Sequence, residues 1–226
     1  TRVIHVATSL LGMVDAAIGG KTGVNLPQGK NLVGAFWQPV GVICDLDSLA
    51  TLPEREMKCG LGEVAKYHFM TGLDLVDMDL SERIAACVRI KADIVAADER
   101  EGGRRALLNY GHTLGHAIET VAEHALAHGE SVAIGLVFAA RLARELGRID
   151  QARVDYHDKV VGDVYGLLTR ARQEGPEWPH LRLGLISRSR GRGRSGPSGG
   201  ARNTRGVLGG TSVSASRSRA TGSVRT

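Results

Sequence analysis

Apolar residues along the chain follow a strand-like pattern first and a helical pattern afterwards. Residues 3–7 and 40–44 are short apolar, β-branched runs bounded by turn residues, and both are predicted to be strands. The segment between them that is dense in Gly, Lys and Asn, residues 19–34, is predicted to be a loop. After Pro53, a residue that suits a helix start, the apolar spacing becomes helical. The predicted helices span residues 53–67, 80–97, 109–124, 129–147 and 151–172.

The last part of the chain has a different composition. Helical periodicity fades from Gln173, and residues 187–226 contain nine Arg, nine Gly, nine Ser and no acidic residue. The net charge of +5 therefore belongs to this tail, and residues 1–186 are net acidic. Such a tail cannot bury enough apolar surface to fold, and without aromatic residues it offers only non-specific contact with nucleic acid. We expect a disordered or non-native terminus and no specific nucleic-acid partner.

Composition also excludes several classes of protein. Of the 226 residues, 42% are hydrophobic, which is enough for a sizeable core. No apolar run reaches the roughly 18 residues of a membrane-spanning helix. The three cysteines, Cys44, Cys59 and Cys87, lie far apart, so neither a disulfide framework nor a cysteine zinc site is expected. Because no secretory leader precedes the first strand, we expect a cytoplasmic protein.

Histidines are concentrated in one part of the helical region. His112 and His116 are spaced i, i+4 and share a helix face, and His128 opens the next predicted helix. Two histidines with a carboxylate form the three-ligand arrangement of catalytic zinc. The HExxH protease signature is absent, because Thr113 stands where its Glu would be. Spacing alone leaves two interpretations open, a metal site or histidines that are surface groups or satisfied core groups.

Two further segments carry candidate chemistry. In residues 15–23, glycines would let backbone N–H groups approach an anion and Lys21 would add a charge, although a solvated surface loop fits equally well. Glu63 and Lys66 are spaced i, i+3, which by default indicates an exposed ion pair unless the fold brings Glu63 to the histidines. Gly60 and Gly62 in the same predicted helix each cost about 1 kcal/mol relative to Ala, a cost that close packing or ligand approach would explain.

Taken together, these segments resemble the 3-dehydroquinate synthases, in the family's order and spacing, up to about residue 150. The matching segments are residues 15–25, Lys30-Asn31 with residues 34–36, residues 51–53, 60–67, 91–93, 98–101 and 109–119, and His128 to Glu130. The resemblance implies a mainly α fold, a helical metal- and substrate-binding domain of the dehydroquinate synthase-like type preceded by the last part of an α/β nucleotide-binding domain. The implied divisions are residues 1–53 for the NAD-binding remnant, 54–186 for the helical domain and 187–226 for the tail.

The resemblance also implies roles for individual residues. The metal ligands would be Glu63, His112 and His128, holding zinc or cobalt. The residues that would contact substrate hydroxyl and phosphate oxygens are Asp15, Lys21, Asn31, Lys66, Asn109 and His116. Among them, Asp15, Lys66 and His116 would act in catalysis. Lys91 and Arg105 would hold the substrate carboxylate. The positions that would line the NAD pocket are Thr8, Ser9, Lys30 and Thr51, with Ser9 in place of a second Thr that is usual in the family.

The activity that the resemblance implies is a lyase reaction of the shikimate pathway, in aromatic amino-acid biosynthesis, carried out by a homodimer. It converts 3-deoxy-D-arabino-heptulosonate 7-phosphate to 3-dehydroquinate and phosphate by transient NAD-dependent oxidation, phosphate elimination, re-reduction and aldol closure. The chain contains no GxGxxG motif, and its Arg/Gly/Ser-rich end departs from the family. We therefore expect a fragment without the N-terminal part of the NAD-binding domain, one that binds zinc and does not turn over.

Other interpretations of the same residues stay open. One is a related sugar-phosphate cyclase that makes a different ring by the same opening steps. The cations Lys91 and Arg105 favour a carboxylate-bearing substrate over a neutral sugar phosphate, and they also make a glycerol-dehydrogenase-like enzyme a weaker match. The last is a catalytically inactive zinc-binding fragment or interaction module with a basic tail.

Overall fold

The computed structural model describes residues 1–27, 29–122 and 125–170, and within these ranges it leaves the side chains of residues 25 and 29–31 undescribed. The predictions for residues 171–226, including the disordered tail, lie outside the described residues. Within the described part, helices dominate, which confirms the mainly α fold class. No described helix combines the length and apolar character needed to cross a membrane.

The first part of the chain forms two small sheets. Strands β1 (Ile4–Ala7) and β4 (Gly41–Cys44) pair in parallel, with Ile4 opposite Gly41, so both predicted strands are confirmed. The predicted loop between them was partly wrong, because it contains an antiparallel pair, β2 (Val24–Leu26) and β3 (Gly29–Val33). Apolar residues at 24, 26, 32 and 33 stand between the glycines and lysines, and their short pairing overrides the loop-like composition.

Five α-helices follow in the described part of the chain: α1 (Glu54–Thr71), α2 (Leu80–Ala97), α3 (His112–Val121), α4 (His128–Glu145) and α5 (Gln151–Asp158). Short helical segments of other types are Gly12–Ala16, Leu46–Thr51, Arg104–Asn109 and Lys159–Val164. All five predicted helices are present, and α2 has the predicted bounds. Helix α1 continues to a left-handed Gly72, past the predicted end at residue 67. Helix α3 starts later than predicted, because Gly111 is left-handed (φ 78°) and interrupts the helix. The last predicted helix ends early, because helical structure stops at Val164.

Helices α1 and α4 cross with backbone against backbone. A Cβ atom built on Gly62 would lie 2.3 Å from the carbonyl oxygen of Gly129, and one built on Gly129 would lie 1.8 Å from the carbonyl oxygen of Cys59. Real Cβ atoms do not approach other atoms so closely, so only glycine fits at both positions. Close packing therefore explains why α1 tolerates a glycine in its interior. The same crossing brings the first turn of α4 against the middle of α1.

Two buried histidines join α5 to the rest of the bundle. The Leu75 N–H donates to His68 Nδ1 (3.3 Å), so His68 Nε2 carries the proton and donates to the Tyr156 hydroxyl (2.7 Å). His157 Nδ1 donates to the Arg153 carbonyl (2.7 Å), and its Nε2 accepts from Tyr110 (2.9 Å). Burial lowers the pKa of both imidazoles below their usual value, so both are neutral in the folded protein.

Mild acid should therefore destabilise the fold through these histidines. Between pH 7.5 and 5.5 these histidines take up protons in the unfolded chain near the ordinary pKa of about 6.5, and they take up fewer in the folded protein. Their contribution to stability therefore falls as pH falls. We expect His157→Gln to lose less unfolding free energy over this range than the wild type, as measured by urea denaturation at both pH values. All other titrating groups are common to the two proteins. An equal loss in both would show that His157 is not the group responsible.

Candidate metal and substrate site

Three side chains from three helices converge on one point. Glu63 lies in the middle of α1, whereas His112 and His128 are the first residues of α3 and α4. Glu63 Oε1 lies 3.3 Å from His112 Nε2 and 3.1 Å from His128 Nε2, and Glu63 is completely buried. The structure thus brings together the three residues for which the sequence predicted a metal-binding role.

Hydrogen bonds on the far side of each imidazole fix its orientation. His112 Nδ1 donates to the Tyr110 carbonyl oxygen (3.1 Å), and His128 Nδ1 lies 2.7 Å from Glu119 Oε1. Metal-binding histidines almost always have such a partner, which directs the lone pair of the other ring nitrogen toward the ion. Two imidazole nitrogens and one carboxylate oxygen are also the donor set of open zinc sites. The residues present therefore fit a divalent metal.

The ionisation of these groups also suits a cation. Burial opposes the charge on Glu63, but Lys66 and the two histidines outweigh it and hold the pKa of Glu63 well below its usual range. Burial likewise disfavours a charged His128, yet its hydrogen bonds to Glu119 and Glu63 raise its pKa to about 9. The position between Glu63 and His128 thus already favours positive charge. A metal that binds there would replace this proton.

His116 lies beside this group and forms an overlapping one. Its ring centroid is 5.2 Å from that of His112, as expected for an i, i+4 pair. His116, Glu119 and His128 also place ligand atoms within 4.8 Å of one another, and His116 is exposed. Glu119 was not singled out from the sequence, although it lies within a segment that resembles the family. The described residues therefore offer two sets of possible ligands that share His128.

A buried cluster of opposite charges adjoins the three ligands. Lys66 forms ion pairs with Glu63 Oε2 and with Asp15 Oδ1 (3.7 Å), and Lys66 and Glu63 are only 1% and 0% exposed. The default interpretation of an exposed Glu63–Lys66 pair was therefore wrong, because the crossing of α1 and α4 buries both. Lys91 Nζ donates to the Asp15 carbonyl (2.5 Å) and to Asp15 Oδ1 (2.8 Å). Tyr67, which the sequence analysis missed, donates to the same oxygen (3.2 Å).

The two residues predicted to hold the substrate carboxylate lie side by side around Gly19. A Cβ atom at Gly19 would lie 2.8 Å from Arg105 Nη2 and 3.5 Å from Lys91 Cε, and its φ of 99° also favours glycine. Arg105 is buried and donates through Nη2 to the Gly19 carbonyl (2.7 Å) and through Nη1 to the Glu99 carbonyl. Its Nε is buried without a hydrogen-bond partner among the described residues.

Lys21 and Asn109, both predicted to contact the substrate phosphate, donate hydrogen bonds to the same residue, Glu101. Glu101 accepts from Lys21 Nζ at Oε2 (2.6 Å) and from Asn109 Nδ2 at Oε1 (3.0 Å). The sequence analysis matched residues 98–101 to the family without assigning Asp98 or Glu101 a role. The Asp98 carboxylate instead accepts backbone N–H groups from residues 102, 103 and 105 and so shapes the loop.

Three of the four predicted NAD-binding positions, Thr8, Ser9 and Thr51, follow the parallel strands in the chain, whereas Lys30 lies in β3. Thr8 follows β1, and Thr51 ends the helical segment after β4. Ser48 links them, since its hydroxyl donates to the Thr8 carbonyl (3.1 Å) and its carbonyl accepts from Thr51 (3.3 Å). The Ser9 hydroxyl accepts from the Gly12 N–H (3.2 Å). Ligands of α/β proteins commonly bind beyond the carboxyl ends of parallel strands. The side chains of Lys30 and Asn31, predicted to contact NAD and substrate, lie outside those described.

Comparison with known proteins gives consistent matches over most of the chain. Residues 1–59 match the family model 3-dehydroquinate synthase N-terminal, and residues 60–176 match 3-dehydroquinate synthase C-terminal. A protein of Amycolatopsis mediterranei (strain S699), provisionally named an aminodehydroquinate synthase, is 61% identical over 165 residues, which are 73% of this chain and 47% of that protein. The 3-dehydroquinate synthase of Thermobifida fusca (strain YX) is 50% identical over 195 residues, 80% of this chain and 52% of the enzyme.

Solved structures agree with these matches. A 2-deoxy-scyllo-inosose synthase, complexed with carbaglucose-6-phosphate, NAD⁺ and Co²⁺, superposes with a TM-score of 0.71 at 29% identity. The match covers 77% of this chain and 51% of that one. The chain thus spans about half the length of the relatives it matches. The two family models together with the identities of these relatives confirm the resemblance found in the sequence, and the chain belongs to the 3-dehydroquinate synthase family.

Proposed function

We propose that this chain carries the metal- and substrate-binding site of an enzyme that converts 3-deoxy-D-arabino-heptulosonate 7-phosphate to 3-dehydroquinate and phosphate. The convergence of Glu63, His112 and His128 beside the buried cations Lys66 and Lys91 is the observation that carries this proposal. The cofactors would be NAD and zinc or cobalt. Family membership also supports a cytoplasmic homodimer as part of the proposal.

Glu63, His112 and His128 would hold the metal through one carboxylate oxygen and two Nε2 atoms. When bound, the divalent cation would supply a Lewis acid that lowers the pKa of substrate hydroxyls, and NAD⁺ would supply the hydride acceptor. The hydrogen bond that each histidine makes through Nδ1 keeps its Nε2 atom directed toward Glu63. The chain's own task is to fix the substrate in one orientation and to stabilise its charges.

Lys66 and Asp15 would act on the reacting hydroxyl groups. Burial alone would lower the pKa of Lys66, but Glu63 and Asp15 outweigh burial and raise it, so Lys66 stays protonated. It would therefore donate a hydrogen bond and stabilise negative charge rather than remove a proton. Asp15 Oδ1 accepts from Lys91 and Tyr67, which hold its carboxylate at the edge of the cluster. Lys21, Asn31, Asn109 and His116 would bind the phosphate end.

Lys91 and Arg105 would distinguish substrates with a carboxylate from neutral sugar phosphates. Both cations border Gly19, which contributes no side chain to the space beside Arg105 Nη2 and Lys91 Cε. Burial lowers the pKa of Lys91, and the neighbouring Asp15 opposes this effect. An anionic group that reaches this position would meet two desolvated cations, and such charge-assisted contacts are among the strongest hydrogen bonds.

A second candidate is the amino counterpart of the same reaction. The relative that is 61% identical is provisionally named for it. Its product name also denotes an acid, so the proposed role of Lys91 and Arg105 is common to both candidates. A neutral sugar phosphate, by contrast, would make no use of these cations.

Ligand binding to the metal-loaded chain tests this function. Calorimetric titration with the keto-acid phosphate, its amino counterpart and glucose 6-phosphate should give tighter binding of one of the two acids than of the neutral sugar phosphate. Because this chain alone is not expected to turn over, the more tightly bound of the two acids identifies the substrate. Equal or tighter binding of glucose 6-phosphate would contradict the proposal and favour a cyclase of neutral sugars.

Arg105→Lys should weaken the binding of the acidic substrate by about tenfold, because an ammonium cannot reproduce the geometry of the guanidinium. Binding of glucose 6-phosphate should change much less. The matched control is Arg104→Lys, since Arg104 is exposed on the adjacent position. Equal weakening for both ligands would indicate a general disturbance of the loop around Gly19 rather than a contact with the carboxylate.

A further inference from the structure

The carboxylate of Glu101 lies where two phosphate-binding groups are expected to bind their ligand. Its two oxygens each accept from one donor, Lys21 Nζ at 2.6 Å and Asn109 Nδ2 at 3.0 Å. Lys21 is 80 positions away in the sequence, so this contact joins two separate loops. A carboxylate with a lysine and an amide on its two oxygens reproduces part of the contact pattern of a bound phosphate.

The loop around Glu101 is shaped to present this side chain. Glu101 has a φ of 62° and is the one non-glycine residue with positive φ in the described part of the chain. Such backbone is unfavourable for a residue with a Cβ atom, and it persists where surrounding contacts enforce it. Asp98 supplies those contacts through backbone N–H groups of Gly102 (2.8 Å), Gly103 (2.8 Å) and Arg105 (2.9 Å). The structure therefore maintains a strained residue at the position that faces Lys21.

We propose that the Glu101 carboxylate takes the place of phosphate in the ligand-free protein, where it accepts hydrogen bonds from the phosphate-binding groups Lys21 and Asn109. It therefore competes with phosphate for these two donors. This inference rests on the proposed function, which assigns Lys21 and Asn109 to the substrate phosphate. A free phosphate or a phosphorylated substrate binds there only as the carboxylate moves aside. The competition also favours departure of inorganic phosphate after it has been eliminated.

The charges and exposure of the pair make such an exchange feasible. Lys21 and Glu101 have side-chain exposures of 47% and 29%, and ion pairs that are open to water contribute little to stability. A phosphate carries more negative charge than the carboxylate and has more acceptor oxygens. The hydrogen bond from Lys21 is the main cause that lowers the pKa of Glu101, so the competitor is ionised at neutral pH.

Glu101→Gln tests the inference with inorganic phosphate as the probe. The full chain without divalent metal is titrated calorimetrically at low salt, so that phosphate cannot bind to a metal. Removing the competing charge should tighten phosphate binding by about threefold or more, and added salt should reduce the difference. Glu99→Gln is the control, because it removes the same charge from the same loop. The Glu99 carboxylate accepts from Gln38 Nε2 (3.1 Å) rather than from the proposed phosphate-binding groups. Glu101→Gly removes the carboxylate and also suits the positive φ, so it provides a second variant with the same expected result.

Unchanged or weaker phosphate binding in both Glu101 variants would overturn the inference, and so would equal tightening in Glu99→Gln. Lys21→Ala separates this failure from failure of the proposed function. If Lys21→Ala weakens phosphate binding while the Glu101 variants leave it unchanged, the phosphate site stands and only the competition is wrong. If Lys21→Ala has no effect, Lys21 does not bind phosphate and the assignment of this subsite fails as well.

Discussion

His112→Ala should abolish stoichiometric binding of zinc or cobalt. His112 Nε2 is one of two imidazole nitrogens beside Glu63 Oε1, and its loss leaves two of three protein ligands. Loss of an outer hydrogen-bond partner alone typically costs about 10–100-fold in metal affinity, so loss of a ligand should cost more. Metal content after dialysis, together with calorimetric titration, measures the effect.

His116→Ala is the matched control, one helical turn away on the same face. It should retain one metal per chain, because His116 is not one of the three proposed ligands. The opposite result, metal retained in His112→Ala and lost in His116→Ala, would identify His116, Glu119 and His128 as the ligands instead. The thermal midpoint of each variant separates loss of a ligand from loss of the fold. Lys66 already neutralises Glu63, so the metal is not needed to balance a buried charge.

Gly129→Ala should have the largest effect on stability. The added Cβ would lie 1.8 Å from the Cys59 carbonyl oxygen and 2.6 Å from its carbon, and backbone cannot move aside as the end of a flexible side chain can. Overpacking of a well-packed core costs about 1–3 kcal/mol and sometimes more, and we expect the upper end or beyond. A change of that size lowers the melting temperature of a chain of this length by roughly 10 °C.

Gly41→Ala is the control for this substitution, because a Cβ atom at Gly41 meets nothing within 4 Å. Its melting temperature should lie within a degree or two of that of the wild type. Its free energy of unfolding should change by about a few tenths of a kcal/mol, as is usual for substitutions that disturb no packing. In Gly129→Ala, metal binding should weaken along with stability, since the displaced residue directly follows His128. A variant with unchanged melting temperature and metal content would show that α1 and α4 can separate at no cost.

Much of the fold was predictable because its signals are local. The apolar spacing of α2 and its start after Asp79, which caps the helix at the Glu82 N–H (2.8 Å), are both visible in the sequence. The hairpin β2–β3 was missed because short strands among glycines are defined by their pairing rather than by their own composition. The start of α3 was predicted too early because one helical segment ends at Asn109, and the extended Tyr110 and left-handed Gly111 separate it from α3.

Less of the candidate site than of the fold could be predicted from local sequence patterns. The spacing of His112 and His116 indicates a shared helix face, but nothing local shows that Glu63, 65 positions before His128, lies against it. The resemblance to the family supplied that residue. Tyr67, Glu101 and Glu119 were missed because each acts through a partner from another part of the fold. The burial of Glu63 and Lys66 depends on the helix crossing, and an i, i+3 spacing carries no information about it.

The contact between α1 and α4 has a consequence for how the site tolerates sequence change. Helices separated by side chains shift by fractions of an ångström when core volumes change, because packed interiors transmit such differences. At Gly62 and Gly129 no side chain lies between the two backbones, so their separation has a fixed lower limit. Main-chain atoms, which a substitution does not change, therefore limit how closely the helix segments that carry Glu63 and His128 approach each other. Substitutions among the surrounding core residues can accumulate while the spacing of these two ligands stays constant.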